Sequence, residues 1–171
     1  MHLADPVRRL HSTEGVLRAH GRLHVEHGSG YLAWIVVHIL RLPRPSAAAE
    51  TRLTVATHGD GERWRRAFNG RRLETSQYQS AHGELAERFG LLELRFRLDV
   101  RAGSLHYIQR QAAFRAGHFR IVIPPTWAPR VEAREDPAGT NRVKVTVRVT
   151  LPPIGRLIAY NGSVEIEDVH P

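Results

Sequence analysis

Two stretches of this chain alternate apolar and polar residues without a break. A period of two places successive side chains on opposite faces, as a half-buried β-strand requires and a helix forbids. In residues 92–101 the apolar series is Leu92, Leu94, Phe96, Leu98 and Val100, with Glu93, Arg95, Arg97, Asp99 and Arg101 opposite. In residues 142–151 it is Val143, Val145, Val147, Val149 and Leu151, with Arg142, Lys144, Thr146, Arg148 and Thr150 opposite. Both predict antiparallel strands with one packed and one solvated face.

Shorter versions recur between turn signals. Leu53, Val55 and Thr57 lead into His58-Gly59-Asp60-Gly61, and Trp64, Arg66 and Phe68 lead into Asn69-Gly70, a two-residue hairpin signal. Further strands are expected at 16–27, 72–82, 84–89, 104–114, 119–123, 131–135 and 158–167, the last after Pro152-Pro153. The chain thus reads as mainly β: a single antiparallel curved sheet or β-barrel/clam of about ten strands, whose closure would remove exposed edges. One short helix is expected at 31–42; being apolar nearly all round, it should be covered while packing over the sheet or its open end. Residues 1–171 are expected to form one domain: an N-terminal arm or short helix (1–15), a first strand (16–28), the helix, a loop at 46–50 and a meander over 51–168.

Composition narrows the chemistry. The 171 residues include no cysteine, which excludes disulfides, thiolate nucleophiles and Cys-ligated metals. The net charge is +8, and of 25 basic residues only Lys144 is lysine. The arginines are scattered and interrupted by acids, so no basic tail argues for nucleic acid. The apolar stretch 31–42 is shorter than the roughly twenty residues of a membrane-spanning helix, and no cleavable leader is visible, which together make a cytoplasmic location the expectation.

Several strands carry polar residues in phase with their apolar face. Arg66 lies between Trp64 and Phe68, Glu87 between Leu85 and Phe89, and Gln77 on the face of Leu73 and Thr75. Leu105 and Tyr107 continue through Gln109 and Gln111, while Tyr160 shares a face with Ile158, Val164 and Ile166. Buried polar groups need partners, ordered water or a ligand. One reading is a pocket in which Arg66 fixes an anionic or carbonyl oxygen and Glu87, Tyr107 or Tyr160 handles a proton, with Trp64, Phe68, Gln77, Gln109, Gln111 and Trp34 lining the ligand. The other is a structural Arg66–Glu87 ion pair, with glutamines bridging strands. His11, beside Arg8-Arg9-Leu10, is a further acid/base or anchoring candidate.

No metal site is expected. His20 and His24 lie about 13 Å apart at strand rise, and His24 with Glu26 has no third ligand in view. Hydrolase, Walker and dinucleotide motifs are missing, so no cofactor is expected either.

The ordered pieces Gly21-x-x-x-Val25-Glu26-x-Gly28, Glu62-Arg63-Trp64-x-Arg66-x-Phe68, Glu87-Arg88-Phe89-Gly90, Gly103-Ser104-Leu105-x-Tyr107, Ile123-Pro124 with Pro129, and Leu151-Pro152-x-Ile154-Gly155 with Tyr160-x-Gly162 give the chain a family likeness. It resembles a bacterial family known only as a domain of unknown function, found alone or fused behind saccharopine-dehydrogenase-like NAD(P)-binding reductases. The resemblance implies a role near lipid, polyketide or other small-molecule metabolism, with a reductase as a partner. Two functional classes follow. The first is a small-molecule-binding barrel for a lipophilic ligand, with a cofactor-independent isomerase or cyclase as its catalytic form. The second is a non-catalytic module presenting Arg95, Arg97, Arg101, Arg142, Lys144 and Arg148 to an acidic partner, RNA or anionic lipid.

Overall fold

Every described strand pairs antiparallel with its neighbours, and the sheet they form bends until its ends meet. A computed structural model describes residues 2–11, 15–80 and 83–167. In chain order the elements are α1 (Asp5–His11), β1 (Val16–His27), α2 (Tyr31–Ile39), β2 (Ser46–His58), β3 (Gly61–Phe68), β4 (Arg71–Gln79) and β5 (Leu85–Phe89). They continue with β6 (Leu92–Arg101), β7 (Ser104–Ala116), β8 (Phe119–Val122), β9 (Arg130–Pro137), β10 (Arg142–Leu151) and β11 (Gly155–Ile166). The lateral order is β6-β5-β4-β3-β2-β1-β11-β10-β9-β7-β8, and β6 also pairs with β7. Ten strands therefore close a barrel, and β8 hangs from the upper half of β7, whose lower half pairs with β9.

Alternation decides which residues face in. Val143 is buried while Arg142 and Lys144 are exposed, as the period-two series predicts. The Asn69-Gly70 turn has positive φ at both residues, 47° and 80°, the type I′ conformation that suits the twist of a hairpin. Residues 46–50, expected as a loop, instead extend β2 downward from the helix, because the edge of β1 offers them partners: Ala49 faces Leu23 and Ser46 faces Val25. The last residues of the strand expected at 72–82, Ala81 and His82, lie outside the described residues.

Three bulges interrupt the pairing among the described strands; one adds a residue to β2 between Ser46 and Ala49, opposite Leu23 and Val25. Arg95 faces Gln111 but Phe96 faces Gln109, so Arg110 is an extra residue on β7. Below it Leu105 and Tyr107 point inward; above it the inward set becomes Ala112 and Phe114, and Gln111 passes to the outer face. On β11, Leu157 is extra between Arg156 and Ile158. It packs with Ala33 and Val37 in a small cluster beneath α2.

The ends of the barrel differ. Turns at 59–60, 102–103 and 138–141 lie at one end, where α1 inserts Val7 and Leu10 into the main core and Ala4 N–H bonds to the Gly103 carbonyl at 3.1 Å. The opposite end carries α2 and the turns at 69–70, 90–91, 117–118, 124–129 and 152–154, and remains open. The helix expected at 31–42 ends at Ile39 and is not covered all round: Tyr31, Leu32, Trp34 and Ile39 are exposed. Among the described residues its seats are the Leu157 cluster and the barrel rim, which accommodate one face of a cylinder. No helix among the described residues is long and apolar enough to cross a membrane.

Candidate functional site

The barrel encloses a cavity of about 790 Å³ that reaches the open end. Its wall is mostly aliphatic and aromatic, from Leu23 and Leu53 through Val145, Val147 and Val149. Near the middle, β3, β5, β7 and β11 direct Arg66, Glu87, Tyr107 and Tyr160 into that same space, joined by Trp64, Phe68, Thr75, Gln77 and Glu135.

Arg66 is the fixed cation. One guanidinium nitrogen donates to Thr75 Oγ1 at 2.9 Å, and another lies 3.5 Å from Glu87 Oε1. Its Cζ sits 5.1 Å from the centre of the Trp64 ring. Both side chains of the Arg66–Glu87 pair are less than a fifth exposed. Burial opposes a charged Arg66, but Glu87 and the more distant Tyr160, Tyr107 and Glu135 outweigh it and raise its pKa. The cation keeps donors beyond those used by Thr75 and Glu87.

Below it lies a compact acid/base group. His11 Nε2 stands 2.6 Å from Glu135 Oε2, and the Tyr107 hydroxyl donates to Glu135 Oε1 at 3.0 Å while also lying 3.2 Å from His11 Nε2. The His11 ring rests 5.2 Å from that of Trp64. Burial alone would lower the His11 pKa, yet the charge and hydrogen bond of Glu135 raise it above the ordinary histidine value. Burial is the main reason the Tyr107 hydroxyl is pushed well up, with Glu135 and Glu87 adding to it. Burial also raises Tyr160, against the pull of Arg66. Both phenols therefore stay protonated near neutral pH, with the Tyr107 proton directed at Glu135.

The residues expected from sequence divide clearly by position. Arg66, Glu87, Tyr107, Tyr160, Trp64, Phe68 and Gln77 line the cavity, and His11 lies behind its floor through Glu135 and Tyr107. Gln109 instead donates to the Pro129 carbonyl at 2.7 Å and accepts from the Val131 N–H at 2.6 Å, tying β7 to the segment entering β9. Gln111, turned outward by the Arg110 bulge, accepts from Arg120 at 2.6 Å. Trp34 stands on the outside of α2, its ring 4.2 Å from that of His38. Glu135 was not among the expected site residues, although it is the third inward member of the series Val131, Ala133, Glu135.

The Arg-rich outer strands β6 and β10 are separated by β7 and β9, although Arg101 and Arg148 reach one shallow depression across them together with His106, Arg134 and Glu132. Arg101 pairs with Asp99, Arg142 with Glu165, and Arg148 approaches Glu132 at 4.0 Å. Arg95 joins a knot around Glu93, a residue expected on a solvated face but fully buried there. Glu93 accepts from Tyr78, Arg95, Arg115 and Arg120 at 2.6–3.1 Å. Among the described residues no group of three or more His, Asp or Glu side chains is placed to hold a metal.

Residues 3–164 match the model of a protein family described as a domain of unknown function (DUF4166). Comparison with curated proteins and with solved structures gives no match.

Proposed function

The chain belongs to the DUF4166 family, a domain of unknown function, and we propose that its barrel binds a lipophilic small molecule bearing a carboxylate or carbonyl oxygen. The observation that carries this reading is the 790 Å³ cavity, apolar toward its mouth and polar around Arg66. Its size and its few convergent polar groups match those of small-molecule sites. The ligand's oxygen meets the remaining donors of Arg66 and the hydroxyl of Tyr160, while its hydrocarbon fills the space between Leu53, Val147 and Phe114. In a catalytic version, an isomerase or cyclase, Arg66 and Tyr160 polarise that oxygen above the His11–Glu135–Tyr107 group, and the Glu87 carboxylate takes a proton from one carbon of the substrate and returns it to another. A reductase acting on the same molecule, the partner implied by the family likeness, fits a barrel that shelters an apolar intermediate.

Native mass spectrometry of protein purified from its own host is expected to show a retained apolar ligand. Binding of 11-(dansylamino)undecanoic acid, a fluorescent aliphatic carboxylate, supplies the quantitative test. The double variant Arg66→Met/Glu87→Gln, which removes the charge pair together, should weaken it about tenfold or more, as loss of a charge-assisted hydrogen bond implies. Unchanged affinity in a folded variant would remove Arg66 from the site, and no uptake of any apolar carboxylate would remove the binding reading itself.

A further inference from the structure

The exposed apolar side chains of this protein are not spread over its surface. Of thirteen large hydrophobic residues exposed among the described ones, eleven lie at the open end of the barrel; only Val16 and Leu98 do not. They form two groups on opposite parts of the mouth. One is α2 with the residue that follows it: Tyr31, Leu32, Trp34, Ile39 and Leu40. The other is the overhanging β7–β8 hairpin with its neighbouring turns: Leu91, Phe114, Phe119, Ile121, Val122 and Trp127. Phe119 is 80 % exposed, Ile121 69 % and Trp127 66 %. Apolar area gathered this way on one end marks an interaction surface.

Charge says what the surface meets. The two segments that supply most of these residues, 27–49 and 101–131, contain no Asp or Glu, yet they contribute Arg41, Arg44 and Arg130 to the open end, besides Arg115 and Arg120, which are held on Glu93. The acids near the rim are paired: Glu26 with Arg156, Glu50 with Arg52, Glu93 with Arg115 and Arg120, and Glu132 with Arg148. The plugged end carries Asp5, Asp60, Glu84, Asp99, Asp136 and Glu167. A second copy of the chain docking mouth to mouth would set these two arginine-bearing rims against each other. A bilayer with anionic headgroups accepts both parts of the surface: arginines at the phosphates, and aromatic and aliphatic side chains just below them. Trp34 and Trp127 are of the residue type that settles at such an interface.

We propose that the open end of the barrel docks on an anionic phospholipid membrane through α2 and the β7–β8 hairpin, bringing the cavity mouth to the lipid surface. This docking does not depend on what the cavity holds. The full chain is expected to co-sediment with vesicles of phosphatidylglycerol and phosphatidylcholine mixed 3:7, at least tenfold more strongly than with pure phosphatidylcholine, and to be released as salt is raised. Emission from Trp34 and Trp127 should shift to the blue on binding, while Trp64, 2 % exposed in the core, contributes a constant background. The pairs Phe119→Ser/Ile121→Ser and Arg44→Glu/Arg130→Glu should each lower vesicle binding tenfold or more. All four residues are absent from the cavity wall, so binding of the dansyl carboxylate should stay unchanged, which also shows that the variants fold. Equal binding to neutral and anionic vesicles, or vesicle binding that survives both pairs, would overturn the proposal. So would sedimentation evidence that the same substitutions abolish a dimer in a protein that ignores vesicles.

Discussion

Glu93 and His11 hold charge inside the fold in opposite directions of pH. Burial alone would raise the Glu93 pKa, but hydrogen bonds from Arg115, Tyr78, Arg120 and Arg95 bring it down to about 2. A carboxylate lowered from an unfolded value near 4.3 contributes stability that is complete above that value and disappears as pH falls through 2, on the order of 3 kcal/mol. Glu93→Gln should therefore unfold at clearly lower denaturant concentration than wild type at pH 7, with the gap closing toward pH 2; a constant gap would show that the knot acts by packing alone. His11 is raised, so its contribution is complete below about pH 6.5 and is lost as pH climbs through the higher folded value. His11→Gln should be most destabilising near pH 6 and less so toward pH 9, read from urea midpoints; a gap that widens with pH would contradict the His11–Glu135 charge pair. Arg66, Glu87, Tyr107 and Tyr160 were legible in sequence because each lies in phase with large apolar neighbours on its own strand. Glu135 was equally in phase but sits among Arg and Glu residues, which mask the alternation. Glu93 looked solvated because its cover comes from Arg115 and Arg120, far along the chain and brought over it only when β6, β7 and β8 associate.

Strands and turns show where periodicity stops being informative. The Asn69-Gly70 hairpin could be read directly, since its residue types are those a positive-φ turn requires. The extra residues Arg110 and Leu157 could not: a bulge is settled by the partner strand, and neither residue type announces one. Alternation alone therefore puts Gln111 on the wrong face, and the same shift carries Phe114 inward to the mouth. Close approach of β1 to β11 also depends on partners. A Cβ at Gly21 would fall 2.0 Å from the Ser163 carbonyl oxygen. Gly21→Ala must push backbone against backbone and should cost more than about 2 kcal/mol. At Gly117, where a Cβ meets open space but φ is +57°, the Ala substitution should cost about 1–2 kcal/mol. Equal losses at the two sites, measured by chemical denaturation, would mean that β1 and β11 can separate freely. Helix α2 illustrates a different gap. Its composition asks for burial on every side, but the barrel offers a seat only at Leu157 and along the rim, so half of the helix remains for something else.

Closure belongs to the whole barrel, since β6 meets β7 on one side while β9 reaches past β8 to meet β7 on the other. A meander was readable from turn spacing; this departure from sequential order was not, because strand pairing at long range leaves no local signature. Closure also makes the interior a single site, so filling it should stabilise the molecule as a unit. The dansyl carboxylate at a hundredfold its dissociation constant would add about 2.7 kcal/mol, a rise of roughly 5–10 °C in the unfolding midpoint for a chain of this length. A midpoint unmoved at saturation would mean that the probe binds the unfolded chain equally well and so does not occupy a site that closure creates.

The plug and the final strand also settle how the molecule can be attached to anything else. Residues 2–4 reach α1 beside Gly103, and Glu167 N–H bonds to the Arg18 carbonyl at 2.9 Å, so the chain enters and leaves the described fold at the closed end. A domain, tag or solid support joined there stands behind the barrel, with the mouth facing away from it. Attachment through residues 2–4 or Glu167 therefore lies on the side of the barrel away from the aromatic rim.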